Sequence, residues 1–209
     1  VTSFDSDEYE VGNVLSINAY GDDLYMGTST SILYIDHADG IIKKVQNLPN
    51  TQVFDLEQDG DHLITSGPGL SEIQGNQASL IQGTESFQTV DLLISKKYPG
   101  YVFLGGGFGL HVFKRYLNQF GSYEYQSIGP ISEVTRSIYT VVENSSGEIW
   151  AGTQSGTLYR VQIPKTASGN LDVSNAEVKG YNDADGIEGL SGTARIIGGQ
   201  VYTSGIEGF

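Results

Sequence analysis

Three histidines, His37, His62 and His111, are the only imidazoles in a 209-residue chain that has no cysteine. They are therefore the first place to look for metal binding or general-base chemistry. None belongs to an HxH or HExxH spacing, and they fall one to a repeat, His62 beside a turn and His111 inside a strand. That placement predicts packed or exposed structural roles rather than catalysis. The nearest approach to a nucleophile elbow, Gly189-Leu190-Ser191-Gly192-Thr193, breaks the glycine pattern that such a turn needs. The run Gly105-Gly106-Gly107-Phe108-Gly109 is followed by the strand-like Leu110–Phe113. A phosphate loop requires a helix N-terminus there, so a hairpin turn is expected instead.

Carboxylates are plentiful, but the sequence does not pair them. Asn182-Asp183-Ala184-Asp185-Gly186 matches part of a calcium loop, yet its first and twelfth ligand positions would be Tyr181 and Gly192. Glycoside cleavage wants two carboxylates facing one channel. Glu143, Glu148 and Asp185 lie in turns or after strands with no evident partner. Asn144-Ser145-Ser146 fits a glycosylation acceptor but also occupies a turn, where side-chain bonds to backbone explain it more simply. These observations lead to a non-enzymatic reading, with no catalytic residues, no metal and no cofactor expected.

The elements that hold these residues are short strands. Glycine is abundant (28 residues) and tyrosine (13 residues) outnumbers Phe and Trp together, which suits strands joined by tight turns. Four segments begin alike: Val14 (VLSINAYGDDLYMGT), Val53 (VFDLEQDGDHLITSG), Val90 (VDLLISKKYPGYVFLGG) and Ile138 (IYTVVENSSGEIWAGT), with a shorter relative at Ala194 (ARIIGGQVYTSG). Their starts are 39, 37, 48 and 56 residues apart; second strands anchored on Met26, Thr65, Leu104, Ala151 and Thr203 repeat at 39, 39, 47 and 52. The turns Gly21-Asp22, Asp59-Gly60, Pro99-Gly100, Ser146-Gly147 and Gly198-Gly199 reverse the chain between first and second strands. Third strands follow at Ile32–Ile35, Leu70–Ile73, Leu110–Phe113 and Leu158–Val161, and fourth strands at Ile41–Val45, Ser79–Gln82 and Tyr123–Gln126. No helical periodicity is present.

Four strands at this spacing predict an all-β fold, a β-propeller of four-stranded antiparallel blades. Residues 14–50, 51–88, 89–136 and 137–192 form four repeats, 1–13 the end of a preceding blade and 193–209 the start of a further one. Val1–Phe4 reads as an outer strand and Phe209 as the start of a third strand, so a fragment of a larger propeller is expected rather than a closed five-bladed ring. A β-sandwich would explain the turns but not the spacing.

In the fourth repeat, Ile138-Tyr139-Thr140-Val141-Val142-Glu143, Ser146-Gly147-Glu148-Ile149-Trp150-Ala151-Gly152-Thr153 and Gly156 with Leu158-Tyr159-Arg160 resemble the two-component regulator propeller repeat. Tyr25-Met26-Gly27-Thr28 keeps the Gly-Thr pair without the tryptophan, and Phe103-Leu104-Gly105-Gly106 keeps only small residues. Asp185-Gly186-Ile187 through Ile197 and Val201–Gly205 resemble the last repeats of such sensors. The resemblance implies a ligand-sensing domain, periplasmic or extracellular, of a membrane-bound histidine kinase or hybrid regulator, with glycans or their breakdown products as a common ligand class. It also places Trp150 as a packed indole.

The residues preceding each first strand occupy equivalent places, so in a propeller they converge on one rim. They are Asn13, Thr51-Gln52, Gln88-Thr89, Arg136-Ser137 and Thr193, with Arg195 one position into its strand. Asn13, Gln52, Gln88, Arg136 and Arg195 are the expected ligand-binding set; the competing reading is solvated loop ends. Arg136 leads, because its planar fork suits carboxylates or sugar hydroxyls. A small-molecule or oligosaccharide ligand and self-association through blade faces are the expected partners. A scaffold for protein interaction, without a small ligand, is the alternative function. The net charge of −14 argues against nucleic acid, and no apolar run is long enough to span a membrane.

Overall fold

The computed structural model describes residues 12–48, 51–187 and 193–203. The chain divides into two compact units between Thr89 and Val90, and each is described by itself. The fold is all-β, apart from 3-10 turns at Val173–Asn175 and Asp183–Asp185. The expected outer strand at Val1–Phe4, the elbow-like segment 189–192 and the residues from Ser204 onward lie outside the described residues.

In the first unit, β1 (Val14–Tyr20), β2 (Asp23–Thr28), β3 (Ile32–Ile35) and β4 (Ile42–Lys44) form one antiparallel sheet in chain order. β5 (Leu56–Asp59), β6 (His62–Thr65), β7 (Ser71–Gln74) and β8 (Gln77–Leu80) form a second. β9 (Thr89–Ile94), β10 (Tyr101–Gly106), β11 (Gly109–Leu117) and β12 (Tyr123–Pro130) make the third sheet. β13 (Ile138–Glu143), β14 (Ile149–Thr153), β15 (Leu158–Gln162) and β16 (Glu177–Tyr181) make the fourth, and β17 (Ala194–Ile197) pairs with β18 (Gln200–Thr203). These are propeller blades: four meandering antiparallel strands, each joined to the next by a turn.

The second blade starts later than its sequence pattern suggests. Val53 is not in a strand, because its N–H donates to the Thr28 carbonyl of the preceding blade at 2.9 Å. Its strand begins only at Leu56, after Asp55 and Ser66 have exchanged bonds: Asp55 N–H to Ser66 Oγ at 2.8 Å and Ser66 N–H to the Asp55 carbonyl at 3.0 Å. The reversal that follows uses Gly60-Asp61, one residue later than expected, with Gly60 at φ 58°.

The Gly-Thr pair that ends a second strand has a physical explanation. Thr28 Oγ1 accepts from the N–H groups of Thr30 and Ser31 (3.2 and 3.0 Å) and donates to the Ser31 carbonyl at 3.0 Å. Thr153 repeats this: its Oγ1 accepts from Thr157 N–H at 2.9 Å and donates to the Thr157 carbonyl at 3.0 Å. A buried hydroxyl thus satisfies the donors and acceptors of the turn into the third strand. The glycine before it leaves room for the next blade. A Cβ on Gly27 would stand 2.9 Å from the Val53 carbonyl oxygen; in the third blade, where glycine and not threonine follows, one on Gly105 would stand 2.6 Å from Ile138 Cγ2.

Each unit buries its core between successive blades. Tyr25, Ile32, Val53, Leu56, Leu63 and Ile73 form the first core. At its edge Tyr25 donates to the Gly75 carbonyl at 3.0 Å, and burial, aided by the Asp23 charge, pushes its phenol up to about 12. Phe103, Leu110, Val112, Ile138, Ile149 and Val161 lie at the centre of the second core. The first strands are stitched laterally by polar side chains: Asn18 Nδ2 to the Leu56 carbonyl (2.8 Å), Val141 N–H to Asp91 Oδ2 (2.5 Å) and Ala194 N–H to Thr140 Oγ1 (2.9 Å). The edge of a first strand has backbone groups that its own sheet leaves unpaired, and these bonds satisfy some of them.

Trp150 departs from the packed-indole expectation. It is half-buried, on the sheet face opposite Ile149 and Ala151, and stacks on Tyr181 at 5.8 Å between centroids. The second core is filled instead by its neighbours in sequence, Ile149 and Ala151, whose side chains point the other way.

Thr153→Val is expected to cost about 1–3 kcal/mol in chemical denaturation, since it strands buried turn groups while keeping the side-chain volume. Gly27→Ala should cost a similar ~1–3 kcal/mol through overpacking against backbone. For Trp150→Ala, a loss of about 1–3 kcal/mol is expected, below the ~3–5 kcal/mol of a fully buried indole.

Candidate functional site

The turn between second and third strands and the lead-in to the next first strand lie at the same end of a blade, and backbone bonds join them. In the first unit, Thr51 N–H donates to the Thr30 carbonyl at 3.1 Å and Val53 N–H to Thr28. The pattern recurs one blade later, where Gly69 N–H donates to the Phe87 carbonyl (2.8 Å) and Thr89 N–H to Gly67 (2.9 Å). In the second unit Ile131 N–H donates to Leu110 at 2.9 Å, and Leu110 N–H to Val134 at 3.3 Å. These ties decide where the lead-in side chains go.

Asn13 and Gln52 flank one turn. Asn13 exchanges bonds with Ser29, its N–H reaching Ser29 Oγ at 3.2 Å and its carbonyl accepting from Ser29 N–H at 2.9 Å. Gln52 is exposed between the two residues tied to Thr28 and Thr30. Gln88, also exposed, bridges Pro68 on the following turn. The three therefore lie along two successive turns at one end of the first unit.

In the second unit, Arg136 has the most developed surroundings. Its Nη1 donates to Ser155 Oγ at 3.1 Å and Thr157 Oγ1 at 3.4 Å, both on the turn that Thr153 locks. With Ser137, Gln154 and Ser155, Arg136 lines an open depression of about 450 Å³. No carboxylate among the described residues lines it. Because the two hydroxyls engage Nη1, the Nε–Nη2 edge of the guanidinium remains available as a two-donor fork. Arg195 does not join this depression: it is exposed on β17, and its Nη1 turns back to the Ala194 carbonyl at 3.4 Å. Gln154, Ser155 and Thr157 are not foreseen from the sequence. The signal was the Gly152-Thr153…Gly156-Thr157 pattern, since a lead-in residue can only lean on the turn at its own end.

The carboxylates that the sequence leaves unpaired all have partners. Glu143 reaches the β9–β10 loop, accepting from Ser95 Oγ (2.5 Å), Lys96 N–H (2.8 Å) and Lys97 N–H (3.1 Å). Burial alone would raise the Glu148 carboxyl, but bonds from Arg160 and Asn144 and the charge of Arg160 hold it below its ordinary value. Asp185 accepts from Asn182 N–H at 3.1 Å while Asn182 Oδ1 accepts from Ala184 N–H, so the calcium-like segment is a capped turn ending at Gly186 with φ 84°. Among the described residues no cluster of three or more His, Asp or Glu is placed to hold a metal ion. Asn144 Oδ1 accepts from Ser146 and Glu148 N–H at 3.0 Å each, which is turn chemistry.

The histidines sit in structural surroundings. His62 pairs with the buried Glu72, and the His37 N–H donates to Asp23 Oδ1 at 2.8 Å. His111 contacts Ser127 Oγ at 2.8 Å and packs on Phe113 at 5.0 Å. The run at Gly105–Gly109 closes a hairpin in which Gly106 pairs with Gly109, and β11 continues beyond it.

No protein-family model matches the chain, and no curated protein matches it. Among solved structures, it is similar to the extracellular domain of BT4673 from B. thetaiotaomicron, described as a one component or a hybrid two component system. There the TM-score is 0.52 and the identity 18%, over 77% of this chain and 22% of that one. The WD40 β-propeller domain of Doa1 gives a TM-score of 0.61 at 12% identity, covering 94% of this chain and 62% of that one. An ancestral GH74 enzyme gives 0.51 at 15% identity, covering 94% and 32%. The chain thus spans less than two thirds of each of these structures. At these identities the likeness establishes the propeller fold, which is shared by a sensor's extracellular domain, a WD40 domain and an enzyme; function must come from the site. No helix among the described residues is long and apolar enough to cross a membrane.

Burial holds the His111 imidazole below its ordinary value of 6.5. The unfolded chain therefore binds the proton more readily, so this contribution to stability is present above pH 6.5 and is lost as pH falls from there through the folded value. Melting curves across that range should show the midpoint falling toward acid, and His111→Gln should flatten part of the fall.

Proposed function

We propose that this chain is a non-catalytic sensing region, the extracytoplasmic ligand-binding propeller of a two-component-type signalling protein. The carrying observation is Arg136, steadied by Ser155 and Thr157 at the edge of a depression that no carboxylate among the described residues lines, in a protein of net charge −14. A guanidinium with one edge anchored and the other free suits a carboxylate or a vicinal diol. The ligand class is thus a small acid or an oligosaccharide with such a group. The shared fold with the extracellular domain of BT4673 supports the sensor reading and an extracytoplasmic location, and the fourth repeat's resemblance to two-component regulator propellers points the same way. Glu143, Glu148 and Asp185 are each committed to the scaffold, which favours binding over hydrolysis.

A specific observation also supports the scaffold reading. On β1 and β2, Leu15, Ile17 and Leu24 are exposed on the face turned away from the first unit's core, Ile17 by 61%. Such a patch suits a protein partner or self-association. Sedimentation of the wild type and of Ile17→Lys would register it as a loss of association in the variant.

A thermal-shift screen with sugar acids and neutral oligosaccharides, followed by calorimetry on the hits, tests the sensing reading. Arg136→Ala should weaken any hit by about tenfold or more, the cost of a lost charge-assisted pair, and Arg136→Lys should recover only part. Equal affinity in Arg136→Ala for every hit would overturn it.

A further inference from the structure

Charge is distributed unevenly along the chain. Residues 1–89 carry 14 acidic and 2 basic side chains, a net −12, whereas residues 90–209 carry 11 and 9, a net −2. Four lysines of the second unit gather at the end of the blades opposite Arg136, around the β9–β10 loop. Lys165 Nζ lies 5.6 Å from the ring of Tyr98, the residue after Lys96-Lys97. Lys165 bridges Leu171, and the adjacent Asn170 Oδ1 accepts from Lys114 Nζ at 2.9 Å and from the Tyr101 hydroxyl at 3.2 Å. Lys114 Nζ in turn stands 5.7 Å from the rings of both Tyr101 and Tyr116.

Acidic residues outnumber basic ones more than two to one in this protein, 25 to 11. Even so, none of these four lysines has an ion pair with a carboxylate among the described residues. Of the carboxylates near their loop, Glu143 accepts the backbone N–H groups of Lys96 and Lys97, whose side chains are exposed, and Glu148, beside Tyr98, is held by Arg160 and Asn144.

An apolar finger adjoins the patch. β11 and β12 run on past Lys114 to a tip at which Leu117 is 59% and Phe120 82% exposed. Asn118 holds this tip in shape: its Oδ1 accepts from Phe120 N–H at 2.9 Å and Ser122 N–H at 3.0 Å, and its N–H donates to the Ser122 carbonyl. An aromatic side chain shown to solvent on a side-chain-capped turn is preorganised for contact.

We propose that this lysine–tyrosine surface and its apolar finger dock a polypeptide segment in which carboxylates alternate with large apolar residues. The carboxylates meet Lys96, Lys97, Lys114 and Lys165, and the apolar side chains meet Leu117 and Phe120. The ammonium groups are spread over a surface rather than gathered in a pocket, so several spaced anions fit better than one small one. The net charge of −14 opposes a densely charged polyanion such as nucleic acid. A segment with apolar residues among its acids also uses the finger, which a purely charged polymer does not.

The test is fluorescence anisotropy of the whole chain with a labelled peptide of alternating Glu and Leu or Phe. Polyglutamate of equal charge and a sulfated polysaccharide serve as comparison probes. The peptide should bind at about 50 mM salt and weaken as salt is raised. Lys97→Glu/Lys165→Glu and Leu117→Ser/Phe120→Ser should each weaken it about tenfold or more, while Lys179→Glu, outside the patch, leaves it unchanged. The substituted side chains are exposed, and circular dichroism melts would confirm that the variants fold. Failure of the peptide to bind, equal binding by both lysine variants, or tighter binding of polyglutamate or the polysaccharide would each overturn the proposal. The Arg136 site lies at the other end of the blades, so the outcome there is independent of this one.

Discussion

A buried threonine hydroxyl at the end of a second strand, bonded across the turn to the third, is the interaction on which the rest of the arrangement depends. Thr28 and Thr153 each use one oxygen to satisfy both a turn N–H and a turn carbonyl. The turn is then rigid enough to act as a partner in its own right. In the first unit its carbonyls receive the N–H groups of the chain entering the next blade. The preceding glycine, with no room for a Cβ at Gly27, lets that incoming chain lie flush against the strand. A propeller blade has few covalent constraints, so blade-to-blade order must come from such ties together with the apolar faces they align.

The same constraint builds the Arg136 depression. Thr157, which accepts from the Arg136 guanidinium, is also the residue whose backbone Thr153 locks. A side chain on a lead-in, ordinarily among the more mobile positions, is thus held by a turn that is itself pinned from inside the blade. At the other end of the blade the devices are carboxylates. Glu143 clamps the β9–β10 loop of the neighbouring blade, and Glu148 joins the start of β14 to Arg160 on β15. The two ends therefore differ in chemistry: hydroxyls and a guanidinium edge at one, committed carboxylates and lysines that have no ion pair among the described residues at the other.

The strand order was legible in the sequence because turn glycines and apolar runs are local signals, but most strand ends are shifted, as Ser71–Gln74 against the expected Leu70–Ile73 and Gln77–Leu80 against the expected Ser79–Gln82. Ile32–Ile35 is a strand with the expected limits, whereas Val53 lies outside one because its hydrogen bond goes to Thr28, 25 positions earlier. The resemblance to the two-component regulator propeller repeat implies a packed indole at Trp150. Alternation along β14 instead gives the core to Ile149 and Ala151, and the indole goes to the other face. The repeat spacing picks out Asn13, Gln52, Gln88 and Arg136 as lead-in residues, and each lies beside a turn between second and third strands. Arg136 could be singled out, but its partners Ser155 and Thr157 could not, since they are joined through a turn whose shape depends on a buried hydroxyl. The carboxylate clamps were illegible for a similar reason: Glu143 and Lys96 are 47 residues apart and meet only when two blades pack.

The claim that locked turns bind each blade to the lead-in of the next is tested most directly by residue-resolved hydrogen exchange on the intact chain. The amides of Val53, Thr89, Ile131 and Thr157 lie in turns or lead-ins, or at the first residue of a strand, where fast exchange would ordinarily be expected. If the account is right, they will be protected as strongly as the strand centres Leu63 and Val112, and will open with them as single cooperative units. Exchange of these four at the rate of free loops, while the strand centres stay protected, would contradict it.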